Sequence, residues 1–232
     1  MQKKIAISQS NYIPWIGYFD LINYVDVFVF FDEVQFTRRD WRNRNRVMCD
    51  DKIKWLSIPL KNKGNYFKSI YEMEIKNQDW KEDHLNKIRS YYQNSKDFKK
   101  NFQIIEEIYY KIQSEKLSEI NQTIIKEVCK KLGIETKFYN SNEFCNLNNE
   151  TDPSFRLLNI CKENKVDLYV SGPVAKNYLN ERLFEKSNIK VEWFKYNETD
   201  QNNKIELSEN LSIIHSLINY GLDKSKFLKY VS

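Results

Sequence analysis

The sequence has little glycine, proline, cysteine or histidine, and each of these low counts excludes some classes of fold or site. Only five glycines and four prolines occur in 232 residues, so the few turn residues are informative positions. The two histidines are not clustered with any cysteine, and no C-x-x-C pair occurs among the four cysteines, Cys49, Cys129, Cys145 and Cys161. A disulfide framework or a zinc site is therefore not expected, and no metal ligands are predicted.

Long hydrophobic runs are also missing. No stretch approaches the roughly 18 apolar residues of a membrane-crossing helix, and the N-terminal run KKIAIS is too short for a signal peptide. Lysine and arginine number 37 against 32 aspartates and glutamates, a net charge of +5, which suits a small anion as well as a nucleic acid. The sequence predicts a cytoplasmic protein without a membrane span, and its charge alone does not identify a partner.

Short apolar runs rich in β-branched and aromatic residues predict the strands of a covered sheet. They lie at 5–8, 27–31, 136–139, 168–171 and 190–194. Helical patterns at 15–24 and 155–164 alternate with them. Strand, helix and strand at this spacing indicate right-handed βαβ units and a mostly parallel, Rossmann-like sheet.

Two additions interrupt this alternation. Between positions 47 and 75 the pattern changes to a period of two around Asp50-Asp51, which predicts an antiparallel hairpin. From 79 to 133 the chain is amphipathic and predicts two or three long helices that end at Gly133. We therefore expect residues 1–232 to form a single α/β domain with an added hairpin and a helical segment at about 79–133.

The turns after the first and fourth predicted strands carry candidate binding residues. In an open parallel sheet, ligands bind beyond the carboxyl ends of the strands, where helix N-termini and backbone N–H groups point. The two turns supply the candidates Gln9, Asn11, Tyr12, Gly17, Tyr18, Ser171 and Gly172. The alternative is an ordinary strand-to-helix turn with core aromatics.

Arginine is concentrated in one short segment. Five of the eight arginines lie between positions 38 and 46, and the planar guanidinium fork suits phosphate or carboxylate. Alternation lets Arg42, Arg44 and Arg46 share one face of a strand. The substrate-binding candidates of this segment are Arg38, Trp41, Arg42, Asn43 and Arg44. The alternative is a solvated basic edge strand that prevents aggregation.

Acid and base candidates are few. Asp32 and Glu33 follow the second predicted strand and can exchange protons, or they can hold the arginines through salt bridges. His84 and His215 both fall in predicted helices, where a lone histidine is more often structural. Asp32 and His84 are the catalytic candidates.

These residues together resemble the WbqC-like protein family, which is associated with O-antigen and other surface-glycan biosynthesis. The resemblance covers most of the chain and is strongest at 9–19 and 26–46, and it continues through Trp55, Trp80 and His84 to Ser171-Gly172. It adds Arg156 as a binding candidate and implies a role in making or decorating a sugar donor. Ser10 departs from the family pattern, where proline is usual, and so does Pro173.

A weaker, architectural resemblance is to adenylyl-transferring ligases of the pantothenate synthetase kind, and it implies a nucleotidyl-transferase-like form of the Rossmann-like sheet. It rests on the strand, loop and helix at the N-terminus and on Gln35-Phe36. Those enzymes use histidines at the start of the helix to stabilise the transferring phosphate. This chain has Trp15, Tyr18 and Phe19 there, so the resemblance does not extend to that mechanism.

We interpret the sequence as an enzyme, a transferase that moves an acyl or aminoacyl group to a nucleotide-linked sugar in surface-polysaccharide biosynthesis. Asn11, Arg42 and Arg44 would bind the anionic small-molecule substrate, Asp32 and His84 would handle protons, and the Ser171-Gly172 turn would stabilise an oxyanion. The sequence predicts no particular cofactor. Two alternatives are open: an RNA-binding module, which the arginines and aromatics between 36 and 46 favour, and a non-catalytic scaffold in a glycan assembly complex.

Overall fold

A computed structural model describes residues 2–61, 67–144, 152–195 and 211–230. Cys145 lies outside these ranges. The strands are β1 (Lys4–Ser8), β2 (Val27–Phe30), β3 (Arg44–Cys49), β4 (Lys52–Ser57), β5 (Lys137–Asn140), β6 (Leu168–Ser171) and β7 (Lys190–Trp193). The helices are α1 (Ile16–Tyr24), α2 (Trp80–Tyr92), α3 (Phe98–Tyr110), α4 (Leu117–Lys131), α5 (Pro153–Glu163), α6 (Glu181–Glu185) and α7 (Ile213–Tyr220).

The five runs predicted as strands form one parallel sheet in the order β5-β2-β1-β6-β7. The predicted α/β class is thus confirmed. From β1 the chain builds outward to β2 and β5 on one side, and then returns to add β6 and β7 on the other. The strand order reverses between β1 and β6, so a crevice is expected where their carboxyl ends diverge.

Helices cover both faces of the sheet. Alternate residues of β1 point to opposite sides, Ala6 into one core cluster and Ile5 and Ile7 into the other. The cluster that contains Ala6 extends without a break through α1, the helical segment α2–α4 and α7. The second cluster is closed by α5 and α6. This double covering explains why the strands are nearly continuous apolar runs.

Strands β3 and β4 form the predicted hairpin, which is a separate two-stranded sheet. Asp50 and Asp51 join the strands with φ of 48° and 57°, the left-handed conformations that a type I′ turn requires. Alternate residues of β3 are buried, among them Asn45 and Val47. The opposite face, which carries Arg44 and Arg46, is half-buried.

The predicted helical segment consists of α2, α3 and α4. It ends at Gly133, which has φ of 64° and terminates α4 in the left-handed conformation that favours glycine. No described helix combines the length and the apolar character that a membrane crossing requires. The division of the chain into domains remains a prediction.

Candidate functional site

A cleft of about 570 Å³ opens where the carboxyl ends of β1 and β6 diverge. We call it the switch-point cleft and define it by Gln9, Phe31, Arg42, Leu157, Ser171 and Gly172. Gln9 directly follows β1, Gly172 directly follows β6, and Leu157 comes from α5. The sequence prediction therefore located two turns that line one cleft.

Arg42 is the cation of this cleft, and neutral side chains fix its position. Its guanidinium group donates to Oε1 of Gln9 at 3.1 Å and to Oδ1 of Asn11. Asp40 is more distant, with 3.6 Å between Arg42 Nη2 and the carboxylate. Both hydrogen-bond acceptors are uncharged amides that orient the guanidinium group, and Asp40 is its ion-pair partner.

Asp40 is a partly buried carboxylate that forms an ion pair with Arg42. Its burial opposes ionisation, but a hydrogen bond from Thr37 and the charge of Arg42 together hold the pKa of Asp40 below its ordinary value. The carboxylate also accepts the Trp41 backbone N–H at 2.7 Å. Asp40 thus stays ionised and holds the loop that presents Arg42.

The loop between β1 and α1 is strained and tightly held. Ile13 has φ of 38°, an unfavourable conformation for a β-branched residue. The side-chain amide of Asn45 donates to the carbonyl oxygens of Tyr12 and Ile13 at 3.1 and 3.0 Å. The Tyr12 N–H donates to the Trp41 carbonyl at 3.0 Å. Asn45, which the sequence analysis did not select as a site residue, therefore positions the loop that carries Asn11.

Asp32 lies behind this loop and is only 4% exposed. Its carboxylate accepts the Ser10 backbone N–H at 2.7 Å, the Ser118 hydroxyl, and the Gln122 amide at 3.2 Å. Ser118 and Gln122 lie on α4. The carboxylate therefore anchors the end of β1 to α4, and Asp32 does not line the described part of the switch-point cleft.

His84, the other catalytic candidate, is 1% exposed. Its Nδ1 lies 2.7 Å from the Tyr12 hydroxyl, which in turn lies 2.6 Å from the Tyr109 hydroxyl. Burial lowers the pKa of His84 to about 4 and raises that of Tyr12. Asp32 holds Ser10 while His84 contacts Tyr12, so the structure does not bring the two candidates together.

Several other candidates hold the frame of the cleft. The Tyr18 hydroxyl donates to the Gln9 carbonyl at 2.9 Å, and the Asn43 amide donates to the Ile58 carbonyl at 2.9 Å. A Cβ atom on Gly17 would lie 2.4 Å from the Trp15 indole, so glycine is needed for this indole to pack where it does.

Arg156 approaches the cleft from α5. Its guanidinium group lies 4.9 Å from the centre of the Phe31 ring and 3.5 Å from the Glu33 carboxylate. Phe31 lines the switch-point cleft. Arg156 thus supports one wall of the cleft, and Glu33 pairs with it and not with an arginine of the described 38–46 segment.

Arg44 and Arg46 do not line the described part of the switch-point cleft, unlike Arg42. They are on the outer face of the β3-β4 hairpin, where Arg44 stacks at 4.3 Å on Trp55 and Arg46 at 5.2 Å on Trp41. Arg44 also donates to the Arg39 carbonyl at 2.5 Å. The expectation that Arg42 shares this face is not met, because β3 begins at Arg44. Arg38 is exposed and does not line the described part of the cleft.

A second, smaller cavity adjoins the first. It has a volume of about 160 Å³ and is lined by Asn11, Pro14, Trp15, Trp41 and Asn45. We call it the tryptophan pocket. Asn11 belongs to its wall and also accepts a hydrogen bond from Arg42, so one side-chain contact separates the two cavities. Trp15 also packs against the core cluster that contains Ala6, and its place in this pocket was not predicted.

Within the described ranges, no group of three or more histidine, cysteine, aspartate or glutamate side chains is arranged to hold a metal ion. Cys49, Cys129 and Cys161 are free thiols. Burial raises the pKa of the Cys129 and Cys161 thiols, which disfavours the reactive thiolate at both positions.

The parallel sheet is covered on both faces by helices and has a cleft at its switch point, which is where ligands bind in α/β folds of this kind. The chain belongs to the WbqC-like protein family, whose sequence pattern matches residues 9–227. It is 36% identical over 230 residues to the uncharacterized protein Rv1507c of Mycobacterium tuberculosis, a match that covers 98% of each chain. No solved structure matches the chain.

Proposed function

We propose that this protein is a transferase of bacterial surface-polysaccharide (O-antigen) biosynthesis that binds a nucleotide-linked sugar in the switch-point cleft. The observation that carries the proposal is the position of Arg42, a cation held at the cleft by the amides of Gln9 and Asn11. The biosynthetic role rests on the resemblance to the WbqC-like family.

The cleft has the properties that such a ligand needs. Its volume of about 570 Å³ lies within the roughly 300–1,000 Å³ of small-molecule sites. Nη1 and Nη2 of Arg42 each donate one hydrogen to Asn11 or Gln9, and each keeps a second N–H that a pyrophosphate oxygen can accept. Phe31, Leu157 and Tyr178 supply apolar wall, against which the less polar face of a sugar can pack.

In the proposed reaction, an acyl or aminoacyl group passes to an amine or hydroxyl of the bound sugar. The sugar nitrogen or oxygen bonds to the carbonyl carbon of an acyl thioester or aminoacyl ester, the carbon–sulfur or carbon–oxygen bond of that donor breaks, and the leaving group takes the proton. The developing oxyanion needs N–H donors. The N–H groups of Gly172 and Val174 donate to no backbone carbonyl of the described residues, and both residues line the cleft.

This proposal changes the roles of the two residues that the sequence suggested for proton transfer. We assign Asp32 and His84 to positioning, because both are buried and the cleft is lined by other residues. Asp32 would hold the end of β1 through Ser10, and His84 would hold the following turn through Tyr12. Each would then act on the ligand through the loop that carries Asn11.

Calorimetry with uridine diphosphate N-acetylglucosamine, guanosine diphosphate mannose and inorganic pyrophosphate tests the binding step. We expect at least one of these probes to bind, and Arg42→Ala to weaken that binding by about tenfold or more, as for the loss of a charge-assisted contact. Arg89→Ala is the matched control, because Arg89 is 51% exposed on α2 and pairs with Glu106. Equal affinities for Arg42→Ala and the parent protein would contradict the proposal.

The outer face of the hairpin favours a second candidate function, RNA binding. Trp55 is 43% exposed, and Arg44 and Arg46 lie against the neighbouring indoles. Alternating arginine and aromatic side chains suit stacking with bases and contact with phosphates. Binding to single-stranded RNA that falls steeply between about 50 and 200 mM salt, and that is lost in Trp55→Ala, would support this candidate over the first.

A further inference from the structure

The tryptophan pocket has room for one ring. Its volume of about 160 Å³ equals roughly five water molecules of about 30 Å³ each. The indoles of Trp15 and Trp41 and the ring of Pro14 form flat apolar walls, and Asn11 and Asn45 supply the polar groups. Flat apolar walls with few polar groups favour a planar heterocycle.

The walls of this pocket are fixed before any ligand binds. The Trp15 indole lies over Gly17 so closely that a methyl group there would meet it. The Trp41 indole is braced by Trp55, with ring centroids 5.6 Å apart, and by the guanidinium of Arg46 at 5.2 Å. A pocket with braced aromatic walls loses little side-chain entropy when a ring enters it.

Asn11 connects the pocket to the switch-point cleft. Its Oδ1 accepts a hydrogen bond from Arg42, and its Nδ2 has no hydrogen-bond partner among the residues that the structure describes. This leaves an amide donor on the pocket wall beside the cation of the cleft. A ligand whose anionic group contacts Arg42 can therefore place an attached ring in the pocket.

The polar groups of the pocket discriminate between kinds of ring. The Asn45 amide nitrogen is used by the carbonyl groups of Tyr12 and Ile13, and its Oδ1 accepts the Arg46 N–H at 2.8 Å. Of the two asparagines of the pocket, Asn11 alone keeps an unused side-chain donor within the described residues. A sugar ring carries several hydroxyl groups that must each find a partner when buried, whereas a base needs few contacts at its edge and gains from stacking on an indole.

We propose that the tryptophan pocket binds the nucleobase of the ligand, stacked on Trp41, while Arg42 binds its phosphates. This inference rests on the proposed function, since it takes the cleft to hold the phosphate groups of a nucleotide. It assigns the recognition of the nucleotide to Trp41, Asn11 and Trp15, and the site of the chemistry to the rest of the switch-point cleft.

Titration with adenosine, guanosine, cytidine and uridine diphosphates and with inorganic pyrophosphate tests this division. Tryptophan fluorescence and calorimetry both report binding. For the diphosphate that binds best, we expect Trp41→Ala to raise Kd about tenfold, as for the loss of one base–aromatic stack, and Trp41→Phe to recover most of the affinity. Trp41→Ala should leave the Kd of pyrophosphate unchanged. Tyr110→Ala is the matched control, because Tyr110 is an exposed aromatic residue that lines neither cavity.

Arg42→Ala separates this inference from the proposed function. If Arg42→Ala leaves both probes unaffected while Trp41→Ala weakens only the nucleoside diphosphate, the nucleobase pocket stands and the phosphate site in the cleft is refuted. An unchanged diphosphate Kd in Trp41→Ala would refute the nucleobase pocket, and so would equal losses for diphosphate and pyrophosphate. Glucose 1-phosphate that binds as tightly as the best diphosphate, and loses as much in Trp41→Ala, would assign the pocket to the sugar and overturn the inference.

Discussion

The guanidinium group of Arg42 donates a hydrogen bond to the side-chain oxygen of Asn11, 31 residues earlier in the chain. This contact joins the arginine-rich segment to the turn that follows β1. It also places a charged group and a polar amide at the boundary between the switch-point cleft and the tryptophan pocket. The hydrogen bond between Arg42 and Asn11 therefore positions one residue of the switch-point cleft and one of the tryptophan pocket.

The geometry of this link predicts that lysine cannot replace arginine. Arg42 reaches Gln9 and Asn11 with two different nitrogens of one planar group, and a lysine ammonium lacks that fork. We expect Arg42→Lys to bind the best nucleotide-sugar probe about tenfold more weakly than the parent protein, close to Arg42→Ala, in calorimetry. A lysine variant with parental affinity would mean that charge alone is sufficient.

A second prediction concerns the buried carboxylate of Asp32. Asp32→Asn replaces an acceptor of three hydrogen bonds with an amide whose nitrogen cannot accept them. We expect the free energy of unfolding in urea to fall by about 2–4 kcal/mol. Glu33→Gln is the matched control, since Glu33 and Arg156 form a half-buried pair at 3.5 Å, and its loss should cost under about 1 kcal/mol. Equal small losses in both variants would contradict the anchoring role of Asp32.

The regular part of the fold was predictable because local sequence and burial agree there. All four residues of β2 are buried and apolar. The strand could therefore be recognised from its sequence as a short apolar run. The helix end at Gly133 and the turn at Asp50-Asp51 could be predicted for a related reason. Both sites use left-handed backbone conformations that few residue types adopt readily.

The site was less predictable because its residues act across long distances in sequence. Asp32 accepts a hydrogen bond from Ser118, 86 positions later. No sequence pattern near either residue predicts this contact. Arg42 and Arg44 have the spacing of neighbours on one strand face, yet the strand begins only at Arg44. The side-chain amide of Asn45 donates to backbone carbonyls. Every residue has a backbone carbonyl, so the residue types of the loop do not indicate these contacts.

A third prediction compares two glycines of the candidate site. A Cβ atom on Gly17 would lie 2.4 Å from the Trp15 ring, whereas one on Gly172 would have nothing within 4 Å. We expect Gly17→Ala to shift the indole, lower the free energy of unfolding by about 1–3 kcal/mol and weaken nucleotide binding. Gly172→Ala should change stability by under about 0.5 kcal/mol. Near-ultraviolet circular dichroism and urea denaturation measure both effects, and equal stabilities for the two variants would refute the role assigned to Gly17.

The last prediction follows from the buried imidazole of His84. Burial lowers its pKa from 6.5 to about 4, and the nearby Asp83 opposes that shift while Lys87 adds to it. The unfolded chain then binds a proton at a higher pH than the folded chain, so unfolding becomes easier as the pH falls.

The stabilisation should be complete above about pH 6.5 and should be lost between pH 6.5 and about 4. The loss is at most about 3.5 kcal/mol, because each pKa unit corresponds to about 1.4 kcal/mol. The chain has only two histidines, so NMR titration of the imidazole signals, assigned with His215→Gln, measures this pKa directly. His84→Gln should flatten the dependence of unfolding free energy on pH in that range while His215→Gln retains it. An imidazole of His84 that titrates near pH 6.5 would show that it is not held neutral between Tyr12 and the surrounding core.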